Sequence, residues 1–317
     1  MSIDARTVHI DAPLSNLVVG FEPQGLIVND LYPVINVAKQ SDLYYEYTKG
    51  DFFRIPETTA RAPKTKGRTV EFSVSSKAYY ASNYALVEEM SYEVMANADT
   101  PLKLKEKAAR NLTNLLMLDY EVRVADQLTT GSNLGSHSTP GSLWSSSAAG
   151  TSDPFGDMQT AKSAIRSTTG LEANTIILGR QVYDALIRHA DIIDRIKYVQ
   201  KGVVTADVLA SLFDVDRVLV GNSIKNTGSE GLADSFSDVW GKNCVLAHLT
   251  RGADADGRNP SLGYSFRWTN PLFGTPMAVE SWDDPDHGNF QNMRVQYYQD
   301  EKIVAPELGY LWTGAVA

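Results

Sequence analysis

The residue types able to do chemistry are sparse in this chain and do not converge. The five histidines, His9, His137, His189, His248 and His287, are scattered, with no pair at helical or ligand spacing. His189 falls near a helix end, where a cationic side chain ordinarily meets the C-terminal charge of the helix. Cys244 is the sole cysteine, so no intramolecular disulfide and no cysteine-rich metal site can form. Followed by Val245-Leu246-Ala247, it reads as a buried, inert thiol. The densest acidic cluster is Asp283, Asp284, Asp286 and His287, flanked by Pro285 and Gly288. Its oxygens suit calcium, but the full alternation of ligands in a calcium loop is missing, and a solvated turn between strands accounts for it. No Gly-x-Ser-x-Gly elbow, no Gly-x-Gly-x-x-Gly and no Gly-Lys-Ser/Thr phosphate loop occurs. The expectation is a protein that is not an enzyme, with no catalytic residue, metal or cofactor.

Charge contrast is the stronger signal. Between Arg54 and Arg68 stand Arg54, Arg61, Lys64, Lys66 and Arg68 against Glu57 alone, a net charge of +4. Between Glu280 and Asp286 stand Glu280, Asp283, Asp284 and Asp286 with no Lys or Arg, a net charge of −4. Two readings are open: both segments are solvated loops charged for solubility, or they are opposite fields that meet. The chain as a whole, 317 residues with a net charge of −9 and a pI of about 5.1, lacks the basic face that gripping nucleic acid phosphates requires. The first twenty residues have no basic region followed by an apolar run, and no stretch approaches eighteen apolar residues, so neither a signal peptide nor a membrane span is expected.

The elements that would position these segments follow from periodicity. Asp99-Thr100-Pro101 reads as a helix start, a polar cap ahead of proline in the first turn. Leu104, Ala108, Leu115, Leu118, Val122 and Ala125 then recur at three- and four-residue steps, with a stop at Thr129-Thr130-Gly131. At 1.5 Å per residue this helix is a rod of roughly 44 Å, a spine along which other elements lie. Before it, residues 1–40 are short apolar pieces punctuated by Pro and Gly, an arm that must pack on something else. Residues 41–86 carry alternating Tyr44, Tyr45 and Tyr47, a basic tip, and a period-two strand over Thr69–Ser75: a protruding hairpin, marginal alone. A short helix is expected within 79–98. Residues 131–153 are a flexible loop by composition. Asp153-Pro154 caps a helix over Phe155–Ser167. Residues 171–263 alternate buried strands (Asn174–Gly179, Asp216–Gly221, Asn243–Leu249) with helices, and 264–317 return to strands.

The block from Asn174-Thr175-Ile176-Ile177-Leu178 through Val182–Leu186, Asp191–Lys197 and Leu209–Phe213 to Val215–Gly221 resembles the A-domain of tailed-phage major capsid proteins of the HK-ninety-seven type. The ending Ile303-Val304-Ala305-Pro306-Glu307-Leu308-Gly309-Tyr310 is similar to that family's end. The order of parts agrees over nearly the whole chain, although no single motif is diagnostic. The resemblance implies an α+β, HK-ninety-seven-like capsid fold: N-terminal arm 1–40, E-loop hairpin 41–86, P-domain 87–170 with its spine helix at about 100–130, A-domain 171–263, and P-domain return strands 264–317. It implies a subunit that assembles into hexamers and pentamers of an icosahedral head, in the host bacterial cytoplasm, around double-stranded DNA held without sequence specificity. With only about forty residues before the hairpin, it implies a separate scaffolding protein, beside a portal and decoration proteins. Since the E-loop of that family lies over an adjacent subunit, Arg54, Arg61, Lys64, Lys66 and Arg68 become candidates to meet Glu280, Asp283, Asp284 and Asp286 of a neighbour. The alternatives are an encapsulin-type nanocompartment shell of the same fold and an unrelated oligomeric enzyme.

Overall fold

Two β-sheets share one long helix. The computed structural model describes residues 9–10, 25–47, 49–57, 59–97, 101–146, 151–196, 204–251, 259–271, 274–283 and 290–317. In chain order the elements are β1 (His9–Ile10), β2 (Val34–Val37), β3 (Ser41–Tyr47), α1 (Lys49–Phe53), β4 (Val74–Tyr80), β5 (Ser82–Ser91), α2 (Tyr92–Asn97), α3 (Pro101–Thr129), β6 (Ser136–Ser138), α4 (Pro154–Thr169), β7 (Thr175–Gly179), α5 (Arg180–Leu186), α6 (Ala190–Ile196), α7 (Ala206–Phe213), β8 (Arg217–Gly221), β9 (Ile224–Asn226), β10 (Phe236–Asp238), β11 (Cys244–Ala247), β12 (Gly263–Trp268), β13 (Met277–Asp283), β14 (Phe290–Ile303) and β15 (Gly309–Trp312). No described helix is long and apolar enough to cross a membrane.

The first sheet is built on β14, whose 14 residues span roughly 46 Å, about the length of α3. It pairs antiparallel with β13, with β5 over Phe290–Gln299 and with β12 over Gln299–Ile303. β2 adds parallel to β12, and His9–Ile10 adds antiparallel to β13. The second sheet runs β6-β15-β11-β7-β8. Its central strands β7 and β11 are buried at every residue, as strands covered on both faces must be. The helices around it start where the sequence says they should. Asp153 accepts the Gly156 N–H at the head of α4, which ends on Gly170 in the left-handed region at φ 73°. Thr205 accepts the Val208 N–H at the head of α7.

The spine helix α3 belongs to both cores. Ala108, Ala109, Leu112 and Leu116 pack under the first sheet with Met293, Val295 and Tyr297. Tyr120, Val124, Ala125 and Leu128 continue into the larger core around the second sheet. Two polar clusters fix the joint. Glu121, fully buried, accepts from the Ile27 N–H (2.9 Å), Ser223 Oγ (2.5 Å) and Trp240 Nε1 (2.9 Å). It thereby ties the segment before β2 and the loops after β8 and β10 to the helix. Trp240 fits there because residue 221 is glycine: a Cβ would lie 2.0 Å from its ring. Arg123 donates to Glu301 Oε1 (2.9 Å) and Tyr297 Oη (3.0 Å) and stacks on Tyr84 at 3.6 Å.

Several expectations shift. Leu115, assigned to the apolar stripe, is 55% exposed, and Leu118 and Val122 are half-buried; the helix buries a wide arc against two cores rather than one narrow stripe. The expected strand Thr69–Ser75 begins only at Val74. Its partner β3 pairs Tyr47 with Val74 and then turns into α1, so residues 69–73 have no strand opposite. The stretch 79–98 holds the ten-residue strand β5 ahead of its short helix. The loop 131–153 is anchored by Trp144, fully buried, which donates to Asp157 Oδ2 at 2.8 Å and packs on Trp312. The chain end joins the second sheet: β15 pairs with β11 and β6, and its apolar residues fill that core. His189 is buried between Ser152 Oγ (2.8 Å) and the Asp191 N–H (3.3 Å) rather than placed as a helix-end charge. Cys244 is buried, and burial pushes its thiol up. The cap at Asp99-Thr100 and the arm apart from His9–Ile10 and residues 25–40 lie outside the described residues.

Removing the Glu121 carboxylate strands three buried donors, each costing about 1–3 kcal/mol. Glu121→Ala should therefore lose at least about 3 kcal/mol in urea unfolding. Glu121→Gln, which keeps an acceptor for Ser223 and Trp240, should lose less than half as much.

Candidate subunit interface

The hairpin β3–β4 is fixed at its base and only sparsely held beyond it. At the base, Tyr44 and Tyr79 stack on Phe266 of β12 at 5.3 and 4.8 Å between ring centroids. The Ala81 N–H reaches Gln40 O at 2.8 Å. Further out, Lys49 pairs with Glu307, and Phe53 approaches Gly170. Hydrogen bonds from Ser73 Oγ and N–H, with the charge of Arg54, hold the Asp51 carboxyl below its usual range. Leu43, Tyr45, Phe52, Phe53, Ile55, Val70, Phe72, Val74 and Tyr80 are all exposed, half of the eighteen large apolar side chains so exposed among the described residues. Ile55 is 86% exposed. Apolar side chains concentrated like this mark a surface that another molecule covers.

The five basic residues proposed for contact sit on this hairpin. Arg54, Arg61, Lys64, Lys66 and Arg68 are exposed. Among the described residues Arg61, Lys64, Lys66 and Arg68 have no ion-pair partner. The acidic set divides. Glu280 is 2% exposed and lies cross-strand from Arg294, which donates to it through Nε at 2.9 Å, while Gln296 Nε2 donates at 2.8 Å. It is spent inside the sheet, a correction to its assignment as a contact: a β13 residue on the Arg294 side of the pleat faces a cation of its own chain. Asp283 is exposed and accepts from Tyr92 Oη and Gln291 Nε2. Asp284 and Asp286 lie outside the described residues, as does the candidate calcium loop they belong to.

Sequence reasoning missed a second acidic group. Glu88, Glu89 and Glu93 lie at the Ser91 end of β5 and on α2, the same end of the sheet as Asp283, since Phe290 pairs with Ser91 and Gln291 with Asp283. Glu88 and Glu89 line a groove of about 420 Å³ together with Met90, Met95, Ala108, Phe290 and Lys107. The alternation Tyr84-x-Leu86-x-Glu88-x-Met90 was the available signal: it has the period of a strand, not of a helix. A smaller apolar surface, Ile224, Leu232 and Phe236, is exposed on the β9–β10 hairpin.

Comparison with known proteins agrees with this architecture. Residues 135–222 match the family described as phage major capsid protein E. The major capsid protein of Burkholderia phage BcepMu is 28% identical over 309 residues, covering 96% of each chain. A crystal structure of a phage-related protein from Bordetella bronchiseptica RB50 is 25% identical and superposes with a TM-score of 0.75, covering 97% of this chain and 98% of that one. The capsid structure of cyanophage P-SCSP1u shares the fold at 11% identity, TM-score 0.57, over 94% and 90% of the two chains. The chain has the HK-ninety-seven-like capsid fold, and its resemblance to tailed-phage major capsid proteins extends from end to end.

Ile55 is 86% exposed, while Phe53 and Phe72 are partly covered, Phe72 by the Phe52 ring at 5.1 Å between centroids, so changing all three to Ser should cost the subunit no more than about 2–3 kcal/mol. The same change should abolish most of its concentration-dependent association. Thermal unfolding and light scattering on one sample separate the two effects.

Proposed function

We propose that this chain is the major capsid protein of a tailed bacteriophage, the repeated subunit of the icosahedral head that encloses double-stranded DNA. The observation that carries the reading is the end-to-end correspondence with a phage major capsid protein, hairpin and spine included. The bare hairpin supports it independently, because a marginal ribbon of exposed aromatics is stable only against a neighbour. The role is structural, without catalysis. Hexamers and pentamers close the shell, with the unit at about 171–263 around their axes. Assembly takes place in the host cytoplasm with a scaffolding protein and a portal, and decoration proteins bind the finished head. The DNA is held by volume and weak general contacts, which suits a subunit of net charge −9. A nanocompartment shell shares the fold; the whole-length relative favours the phage head.

Within that shell, the basic hairpin of one subunit approaches the acidic segment Asp283, Asp284 and Asp286 of a neighbour, together with Glu88 and Glu89 at the end of that neighbour's first sheet. Screened over about 8–10 Å at physiological salt, these fields set register and docking rate more than affinity.

Electron microscopy of the purified protein should show closed shells or capsomers; a uniform small oligomer under all assembly conditions would contradict the reading. Reversing Lys64, Lys66 and Arg68 to Glu should slow assembly at least tenfold, and light scattering should show a changed salt dependence. Reversing Asp283, Asp284 and Asp286 to Lys in the same chain should restore part of the rate, and no recovery would separate the two segments.

A further inference from the structure

The first sheet has an open edge. Among the described residues β5 pairs only with β14, so the backbone groups of Asn83–Ser91 that point away from β14 have no strand beside them. The side chains of Asn83, Ala85, Val87 and Glu89 on its outer face are exposed. The strand carries neither Lys nor Pro, the residues that usually blunt an edge, and its acidic residues stand at one end, Glu88 and Glu89.

The same chain holds a strand without a partner. Thr69-Val70-Glu71-Phe72-Ser73 alternates as a β-strand does. Yet residues 69–72 make no backbone hydrogen bond to any described residue, and Val70 and Phe72 are 49% and 53% exposed. Its basic residues, Lys64, Lys66 and Arg68, all precede it. The segment cannot reach its own β5. Seven residues of β4 separate it from Ala81, about 23 Å of extended chain, and β5 begins only beyond that point.

We propose that residues 69–73 of one copy add as an antiparallel strand to β5 of a second copy, continuing the six-stranded sheet across the subunit boundary. Charge fixes the direction: only the antiparallel sense brings Arg68 to the Glu88–Glu89 end. The register that sets Arg68 opposite Glu88 also sets Val70 opposite Leu86, Phe72 opposite Tyr84 and Glu71 opposite Ala85. Apolar residues then meet apolar or aromatic ones on the face toward α3, where the groove of Met90 and Phe290 lies; on the outer face Glu71 meets Ala85, Ser73 meets Asn83, and the β-branched Thr69 meets Val87. Such cross-strand pairs are the unit of sheet stabilisation, and main-chain bonds to an exposed edge supply affinity. The inference rests on the shell reading and adds to it a contact mode, a strand and a register.

Hydrogen exchange on the unmodified protein tests it, comparing free subunit with assembled particle. Peptides covering 69–73 and 82–91 should both exchange at least tenfold more slowly in the particle. A chain carrying Glu71→Cys and Ala85→Cys should then form intermolecular disulfides on oxidation of particles but not of free subunits, and more readily than chains pairing Glu71→Cys with Asn83→Cys or Val87→Cys. Closed particles in which 82–91 exchange as in the free subunit overturn the strand addition and leave the shell reading standing. Protection without a link at any of the three positions also overturns it. A protein that forms no particles overturns both.

Discussion

Everything in this subunit depends on α3 lying along β14. A helix of 29 residues and a strand of 14 have nearly equal lengths, so one can serve as the wall of the other from end to end. The helix begins on the first sheet and finishes in the core of the second, so neither core closes without it. Hydrophobic contact alone would let the two slide. Buried polar groups with fixed partners do not, because any displacement leaves a carboxylate or a donor unsatisfied. Glu121 fixes the helix to the second sheet's loops. Arg123 fixes it to β14: burial works against its charge, but the hydrogen bond and charge of Glu301 outweigh this and hold the guanidinium above its usual range. Burial likewise pushes the Tyr297 hydroxyl up, keeping it a neutral partner.

From this frame hangs a hairpin that the frame does not cover. Its base is stacked on Phe266, and beyond the base much of its aromatic and branched surface faces solvent, while Arg61, Lys64, Lys66 and Arg68 at its tip have no ion-pair partner among the described residues. A monomer gains nothing from such an arrangement, since apolar surface left in water contributes no stability and invites association. A shell subunit gains a joint that forms only between copies. The acidic end of β5 and the groove beside it lie on the rigid part of the molecule, over the core shared with α3. The ribbon supplies the segment that docks; the frame supplies the edge that receives it.

Much of this was legible in the sequence, and what was not has physical causes. The spine helix was read almost to the residue because Pro101 and Gly131 bracket a long run of helix formers. The strands β7, β8 and β11 announced themselves as short continuous apolar runs. Glu121 did not, since a glutamate in a helix looks solvated and its three donors are 94, 102 and 119 residues away. Trp144 sat in a Ser- and Gly-rich stretch whose composition hid one anchor that decides its path. β5 was obscured because its alternation takes in Glu88 at an inward position and the strand runs directly into a helix. Glu280 showed its charge but not its pairing, for a strand residue's neighbours are set by register with a strand still unplaced. The segment Thr69–Ser73 is the instructive case: the sequence asks for a strand, and among the described residues of the subunit no strand pairs with it.

The central claim is that the hairpin is completed by another copy of the chain. Limited trypsin digestion tests it most directly, because Arg54, Arg61, Lys64, Lys66 and Arg68 put cleavable bonds along the exposed tip. The free subunit should be cut within this stretch before anywhere else, and the assembled particle should resist cleavage there. Equal cleavage rates in subunit and particle, or a stable monomer whose tip is already protected, would contradict the account.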